Sequence, residues 1–419
     1  MKKLFLTLGL VGLLTGSAFA QKRDLANYRL PDKRGLNVFE DPKDTTATFT
    51  GLNVRIGGAF ALQFQGIDHK NAGDVELLKI QNNFNLATAN LDVDVELYDG
   101  IRLHLRTYLS SRHHPEPYVK GGFMQVDNLN FIQEGFLADY MKYLTIRVGH
   151  MENNYGDAHF RRSDNAQAIY NPFVGNLIMD GFTTEVGGEI LFQNKGWLAM
   201  VGVTNGKLNQ SVGDAERTKA SVIGKFGYDK QENEDFRWRL TGSVYHTGKT
   251  ANSYLYAADR AGSRYYMVME EPGATSAGNF RSGRFDPFLK NEMTAFMINP
   301  FIKYRGLEFF GVYERASGKE ASEASTRSFD QYSAELLYRF GNNENFYVGG
   351  RYNLVKGEEF ATGNDVEIDR INLGAGWFMT KNIMAKLEYV KQTYDGFGMG
   401  SKFNGGQFDG VMLEAVISF

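Results

Sequence analysis

The sequence predicts an all-β fold, a transmembrane antiparallel β-barrel of about 16 strands with short periplasmic turns and long extracellular loops. Three observations predict it. Apolar and polar residues alternate at the strand period of two along most of the chain. The links between these segments are alternately short and long. Glycine is abundant at 47 residues, proline is scarce at 8 and aromatics reach 14%, which suits many strands with aromatic belts.

The chain begins with the features of a cleaved secretory signal. Two lysines precede the apolar run of residues 4–14, and a small-residue cleavage pattern ends at Ala20. We therefore expect residues 1–20 to be a signal peptide. The residue after the cut is Gln21 rather than cysteine, so no lipoprotein anchor is expected. Residues 21–50 are charged and turn-rich, and we expect a periplasmic N-terminal lead-in there.

Composition also excludes several classes of protein. No later segment offers about 18 consecutive apolar residues, so no transmembrane helix is expected. The chain has no cysteine, which excludes disulfide bridges and thiolate metal sites. The formal net charge of -3 is too mild to imply a nucleic-acid partner. No cofactor is expected from any motif.

The barrel is expected over residues 51–419. Alternation begins at Leu52, and the sharpest hairpin spans residues 89–109, where nearly all odd positions are apolar. A three-residue turn at 98–100 keeps both apolar rows on one face. The resulting register predicts three cross-strand pairs of opposite charge on the polar face. These are Asp92 with Arg106, Asp94 with His104, and Glu96 with Arg102.

Similar alternation continues to the end of the chain. The pattern is less clean near 129–139, 197–204, 291–304 and 307–316, where strands are nevertheless expected. The last strand alternates from Val411 to the final residue, Phe419. This end resembles the assembly signal of bacterial outer-membrane barrels. The resemblance implies export to the cell outer membrane, with outer-membrane lipid and the barrel assembly machinery as partners.

In strand number, third-loop length and C-terminal aromatic, the chain resembles general and phosphate-selective porins. Segments such as Arg147-Val148-Gly149-His150 and Asn171-Pro172-Phe173 are similar to those of the phosphate-selective porin O and P group and of putative porins from Bacteroidetes. The resemblance implies that the third long loop folds into a water-filled channel. It also implies pore-constriction residues, for which the candidates are Asp157, Arg161, Arg162 and Asp164. A solvated surface loop remains the alternative.

The polar strand faces are expected to line the lumen. The charged and titratable lining residues are Arg55, Asp92, Asp94, Glu96, Arg102, His104, Arg106, Arg147, Arg237, Arg239, Arg351, Arg370, Lys386 and Glu388. Mixed signs orient polar solutes and select weakly between ions, whereas a ring of one sign selects strongly. We therefore expect passive diffusion of small polar or anionic solutes. Phosphate specificity is not expected, because no Lys/Arg ladder dominates, and a homotrimer and a monomer both remain open.

Two other functions stay open at this point. A structural or surface component of a larger complex would need a sealed lumen, but no separate plug domain precedes Leu52. A barrel-rim hydrolase would use nucleophile, base and orienter types that lie close together in the third long loop. They are His150, Asp157, His159, Ser163 and Asp164. No serine-hydrolase signature surrounds Ser163, so no enzyme activity is expected.

Overall fold

The computed structural model describes residues 24–110, 114–164, 166–206, 218–258 and 264–419, with side chains described except at 85–87 and 110–117. The expected signal peptide, residues 1–20, lies outside the described residues. Within the described ranges, no helix is both long enough and apolar enough to span a membrane.

Sixteen strands form one closed antiparallel barrel, in which each strand pairs with its neighbours in sequence and the last strand pairs with the first. The strands are β1 (Asn53–Lys70), β2 (Asn83–Tyr98), β3 (Ile101–Ser110), β4 (His114–Val126), β5 (Leu144–Glu152), β6 (Thr184–Asn194), β7 (Trp197–Thr204), β8 (Ser221–Gln231), β9 (Phe236–Thr247), β10 (Glu292–Tyr304), β11 (Leu307–Lys319), β12 (Arg327–Phe340), β13 (Phe346–Glu358), β14 (Asp365–Phe378), β15 (Ile383–Asp395) and β16 (Gln407–Ser418). The predicted antiparallel barrel of about 16 strands is confirmed, except that the periplasmic link between β4 and β5, residues 127–143, is long rather than short.

The hairpin of β2 and β3 has the register that the charge pattern predicts. Asp92 lies opposite Arg106, Asp94 opposite His104, and Glu96 opposite Arg102. Gly100 closes the turn with a φ of +66°, a conformation that glycine adopts without steric cost. The predicted pairs are therefore confirmed.

The two faces of each strand meet different surroundings. On β15, Leu387 and Tyr389 are 48% and 39% exposed, whereas Lys386 and Glu388 are 4% and 0% exposed. Apolar side chains thus point outward, where the bilayer lies, and charged side chains point into the barrel. At the periplasmic end, the outward rings of Phe340, Phe346 and Trp377 stack in a row, with centroids 5.8 and 5.9 Å apart. Such a row belongs to an interfacial aromatic belt.

One expected strand is wrong. Residues 129–139 form turns that lead into a short helix, α1 (Ala138–Met141), and the strand of this region is β4, nearer the N-terminus. Phe131 and Ile132 are 48% and 59% exposed in this periplasmic link, so their apolar character does not reflect strand pairing. The strand was misplaced because Pro115 and Pro117 and a register shift interrupt the alternation of β4.

Short 3-10 helices lie in the segments that connect to or enter the barrel. They span Lys33–Gly35, Ala158–Arg161, Ala168–Tyr170 and Asn342–Glu344. The seam between β1 and β16 extends by one residue, because Gly58 and Phe419 exchange backbone hydrogen bonds of 3.0 Å each. The Arg55 guanidinium adds a 2.5 Å hydrogen bond to the Phe419 carbonyl.

Candidate functional site

The periplasmic end of the lumen is covered by residues 24–50, here called the floor segment. The backbone N–H of Lys33 donates to the carbonyl of Lys381 at 2.8 Å, on the turn between β14 and β15. Lys43 Nζ donates to the carbonyls of Asp127 and Leu144 at 2.8 and 2.6 Å, at the ends of β4 and β5. The segment therefore crosses the mouth from one side of the barrel to the other.

Aromatic and charged side chains of the floor segment reach upward into the barrel. The Arg29 guanidinium lies 3.7 Å from the centre of the Tyr170 ring, and Phe39 packs edge-on against Phe160 at 6.0 Å. Tyr28 accepts a 2.9 Å hydrogen bond from Arg55 on the barrel wall. Sequence reasoning predicted only a lead-in here, because a charged, turn-rich segment shows no strand period and its distant partners leave no local pattern.

The third loop, described at residues 153–164 and 166–183, lies inside the barrel. From β5 it reaches the opposite wall, where the backbone N–H of Val174 donates to Glu388 Oε2 at 2.8 Å. Arg351 donates to the Gly175 carbonyl at 2.7 Å, and the Ile178 N–H donates to Asn353 Oδ1 at 2.7 Å. These contacts with β13 and β15 hold the loop across the lumen.

Asp157, a constriction candidate, is fully buried between the third loop and the wall. Its carboxylate lies 2.8 Å from Arg239 Nε and 2.7 Å from Lys225 Nζ, and it accepts a 2.7 Å hydrogen bond from Thr241. Burial alone would raise the pKa of Asp157, but the two cations hold it well below its ordinary value. Asp157 therefore acts as an anionic anchor of the loop.

The neighbouring candidate Arg161 also contacts the wall. Its NH2 nitrogen lies 2.7 Å from Glu308 and 3.2 Å from Glu335, on β11 and β12. It donates as well to the side-chain oxygen of Asn37, and Asn37 Nδ2 in turn donates to Glu308 Oε2 at 2.8 Å. Arg161 thus joins the third loop to both the wall and the floor segment.

The other two candidates complete this buried network. Arg162 makes a bidentate pair with Asp180 within the third loop, at 2.9 and 2.7 Å. Asp164 pairs with Lys120 and lies 3.4 Å from Arg106 on the wall. All four candidates are at most 5% exposed, so their charges are matched by partners rather than presented to an open passage.

A second long loop, described at residues 248–258 and 264–291, enters from the extracellular end. Tyr265 donates to Glu388 Oε1 at 2.7 Å, on the carboxylate that also holds the third loop. Arg264 lies 2.5 Å from Glu414 Oε2, and the Tyr266 hydroxyl donates to the side chain of Gln63. Tyr265 and Tyr266 of this loop therefore pack inside the barrel.

The expected lining residues point inward, and most of them form polar pairs with each other or with the segments inside. Asp94 is a centre of this network, with Arg55 at 2.9 Å, His104 at 2.8 Å and Arg102 at 3.4 Å. The remaining contacts are Arg106 with Asp92 (2.8 Å), Arg147 with Asp41 (2.6 Å), Arg237 with Asp229 (2.6 Å), Arg239 with Glu40 (2.8 Å), Arg351 with Glu335 (2.7 Å), Arg370 with Gln392 (2.6 Å) and Lys386 with Glu414 (2.9 Å). Glu96 is half-buried near the periplasmic end of β2.

Two cavities remain beside the wall formed by β3, β4 and β5. One, of about 150 Å³, lies between the floor segment, the third loop and the wall, and Arg102, Arg106 and Lys120 are among its lining residues. The other, of about 280 Å³, opens at the periplasmic mouth beside Asp127. Arg102 lines both cavities, so this side chain stands between them.

The rim residues considered for hydrolysis do not form a catalytic triad in the part of the chain that the structure describes. The Ser163 hydroxyl accepts a 3.3 Å hydrogen bond from Asn171 and has no histidine among its hydrogen-bond partners. His150 pairs with Thr184 at 3.0 Å, and Asp157 and Asp164 face cations of the wall. Within the described residues, no group of three or more His, Asp or Glu side chains is placed so that it could hold a metal ion.

Comparison with known proteins places the fold. No protein-family model and no curated protein matches the sequence. An anion-selective porin from Comamonas acidovorans is similar over 88% of this chain and 100% of its own, at 12% identity and a TM-score of 0.53. DcaP, an outer-membrane channel of Acinetobacter baumannii, covers 89% of this chain and 99% of its own, at 12% identity and a TM-score of 0.52.

A further solved structure of the same fold is OmpT, an outer membrane protein of Vibrio cholerae, in a trimer form. It matches 88% of this chain and 100% of its own, with 11% identity and a TM-score of 0.53. At such low identities these likenesses show the fold alone, the closed 16-stranded barrel.

Proposed function

We propose that this chain is an outer-membrane porin that conducts small polar solutes and ions by passive diffusion with weak selectivity. The observation that carries the proposal is a 16-stranded barrel whose inward face carries rows of charged and polar side chains. On β3 alone, Arg102, His104 and Arg106 follow one another along the lumen. A barrel of this size leaves an aqueous channel if its lumen is not filled by chain.

The material inside the barrel is compatible with conduction if part of it moves. The floor segment and the third loop contain only short 3-10 helices, and many of their contacts with the wall are hydrogen bonds and ion pairs. Polar contacts of this kind can be replaced by contacts with water or solute. Other residues of the same segments, among them Phe39, Val174 and Met179, pack in an apolar cluster with residues of the wall and hold the resting lumen closed.

Selectivity follows from the balance of charges in the wall. Cations and anions alternate around Asp94 and around Asp157, so no ring of one sign spans the lumen. Weak selectivity is therefore part of the proposal, whereas a phosphate-specific channel like those of the porin O and P group is not. The trimer form of the OmpT structure and the porin resemblance support a homotrimer as the assembly to test.

A closed structural barrel within a larger complex is the second candidate. The packed lumen favours it, because the described third loop and floor segment occupy the space that an open pore would need. Proteoliposome swelling separates the two candidates. A porin admits small sugars faster than large ones, whereas a sealed barrel admits neither above the rate of protein-free vesicles.

Phe419 is proposed as the assembly signal, and its replacement by alanine tests that role. We expect Phe419→Ala to lower the amount of assembled barrel in cells severalfold, while refolding of purified protein into detergent changes little. The backbone bonds between Gly58 and residue 419 do not depend on the ring, so the folded seam should persist. Heat-modifiable electrophoretic mobility measures both the amount of barrel assembled in cells and the yield of refolding in detergent. Phe84→Ala is the matched control, since Phe84 is a 79% exposed aromatic at the extracellular end of the barrel; an equal loss in the control would refute a signal specific to Phe419.

A further inference from the structure

Two adjacent acidic residues of the floor segment each enter a basic cluster on the wall. Asp41 Oδ2 lies 2.8 Å from Arg102 and 2.6 Å from Arg147, on β3 and β5. Its other oxygen accepts the backbone N–H of Arg29 at 2.9 Å, within the floor segment itself. The carboxylate is therefore held by two guanidinium groups of the wall, the donor arrangement that proteins use to bind a carboxylate ligand.

Glu40 occupies the second cluster, on β8 and β9. Its Oε1 lies 2.9 Å from Lys225 Nζ, and its Oε2 lies 2.8 Å from Arg239. Burial alone would raise the pKa of Glu40, but Arg239 and Lys225 lower it to about 2, so this carboxylate is ionised at neutral pH.

Removing the floor segment would take one carboxylate away from each cluster. In the first, Arg102 and Arg147 would lose Asp41 and keep Asp94 and Glu189, of which Asp94 also pairs with Arg55. In the second, the cations Lys225, Arg237 and Arg239 would keep the anions Asp157 and Asp229. Three cations minus two anions gives +1 in the second cluster, which Glu40 neutralises.

We propose that the floor segment is a gate whose two carboxylates are built-in ligands of two anion-binding clusters, and that small solutes bearing carboxylates open it by taking their place. The inference rests on the proposed porin function. An uncompensated buried cation is unfavourable, so the segment leaves readily only when another anion enters. Displacement therefore couples the arrival of an anionic solute to the opening of the periplasmic mouth.

The chemistry of the clusters favours carboxylate over other anions. Each cluster presents an arginine beside a second cation, and both are already fitted to a carboxylate of the chain. A dicarboxylate carries two such groups, as the Glu40-Asp41 pair does, and succinate is the probe of this class. The gate would thus exchange one pair of carboxylates for another.

The test uses the full-length protein in planar bilayers, with open probability recorded in KCl and succinate added to the periplasmic side. The gate variant is Glu40→Gln with Asp41→Asn, which keeps the side-chain shapes and removes both charges. The matched control is Asp24→Asn with Asp44→Asn, which removes the same charge from exposed residues of the same segment. Heat-modifiable mobility verifies folding, and Asp41→Asn alone replaces the double variant if that one does not fold.

We expect succinate to raise the open probability of the wild type and of the control, while glucose at the same concentration has no effect. The gate variant should be open about tenfold more often without succinate, because its closed state has lost the carboxylate charge of four ion pairs. Equal open probability in gate variant and wild type would overturn the gate but leave the porin proposal standing. An effect of phosphate equal to that of succinate would overturn the carboxylate assignment, and silence of all variants would overturn the porin itself.

Discussion

Arg161→Glu is expected to release the third loop from the barrel wall. The new carboxylate would face Glu308 and Glu335, which now lie 2.7 and 3.2 Å from the guanidinium. Breaking a buried ion pair costs about 3–5 kcal/mol, and repulsion between like charges adds to this. The lumen should then open, with a larger single-channel conductance and a reversal potential shifted toward cations.

Two matched variants separate this effect from a general change of charge. Arg161→Met removes the cation without adding an anion, and Glu308 keeps Arg339 at 2.9 Å, so the gain in conductance should be smaller. Arg305→Glu makes the same reversal on an exposed periplasmic turn and should leave conductance at the wild-type value. Unchanged conductance and reversal potential in a folded Arg161→Glu protein would remove this residue from the constriction.

Glu388→Ala is expected to free two loops at once. One carboxylate oxygen accepts the N–H groups of Val174 and Gly175 at 2.8 and 3.3 Å, and the other accepts the hydroxyl of Tyr265 at 2.7 Å. All these groups are buried, and each hydrogen bond to a charged group contributes about 1.5–3 kcal/mol. Protease cleavage in both loops should therefore accelerate strongly in the variant.

The conservative variant Glu388→Gln tests this geometry. An amide has only one acceptor oxygen, which can accept the hydrogen bonds of one loop. Its NH2 group cannot accept a hydrogen bond and would face the donor groups of the other loop. We expect one loop to become protease-sensitive and the other to stay protected. Glu367→Ala is the control, because Glu367 is partly exposed and pairs with Lys356 near the extracellular rim. Equal protection of both loops in all three variants would show that Glu388 does not hold them.

The strands were predictable because each one carries its own signal. Alternation along β15, or the charge pairs of the hairpin of β2 and β3, depends on residues close together in sequence. The link 127–143 shows the limit of this reasoning. Its apolar residues Phe131 and Ile132 suggest a strand, although both lie exposed outside the barrel.

The filling of the lumen was not predictable in the same way. Sequence reasoning found the charged residue types of the third loop, but the partner of Arg161 lies 147 positions away at Glu308. Glu40 similarly meets Arg239 across 199 positions. Such pairs follow from the closure of the barrel and leave no periodic pattern in the sequence. The signal that the sequence offered was the combination of Tyr28, Phe39 and an acidic pair in a segment expected to be a periplasmic lead-in.

The single-channel conductance of the purified wild-type protein in a planar bilayer is the most direct test of the porin proposal. We expect a channel that is mostly closed, with brief openings, because the floor segment and the third loop fill the resting lumen. Silence of the wild type, of Arg161→Glu and of the gate variant, all correctly folded, would contradict a porin and favour a structural barrel. Large, steady ohmic steps from the wild type would contradict the filled lumen instead.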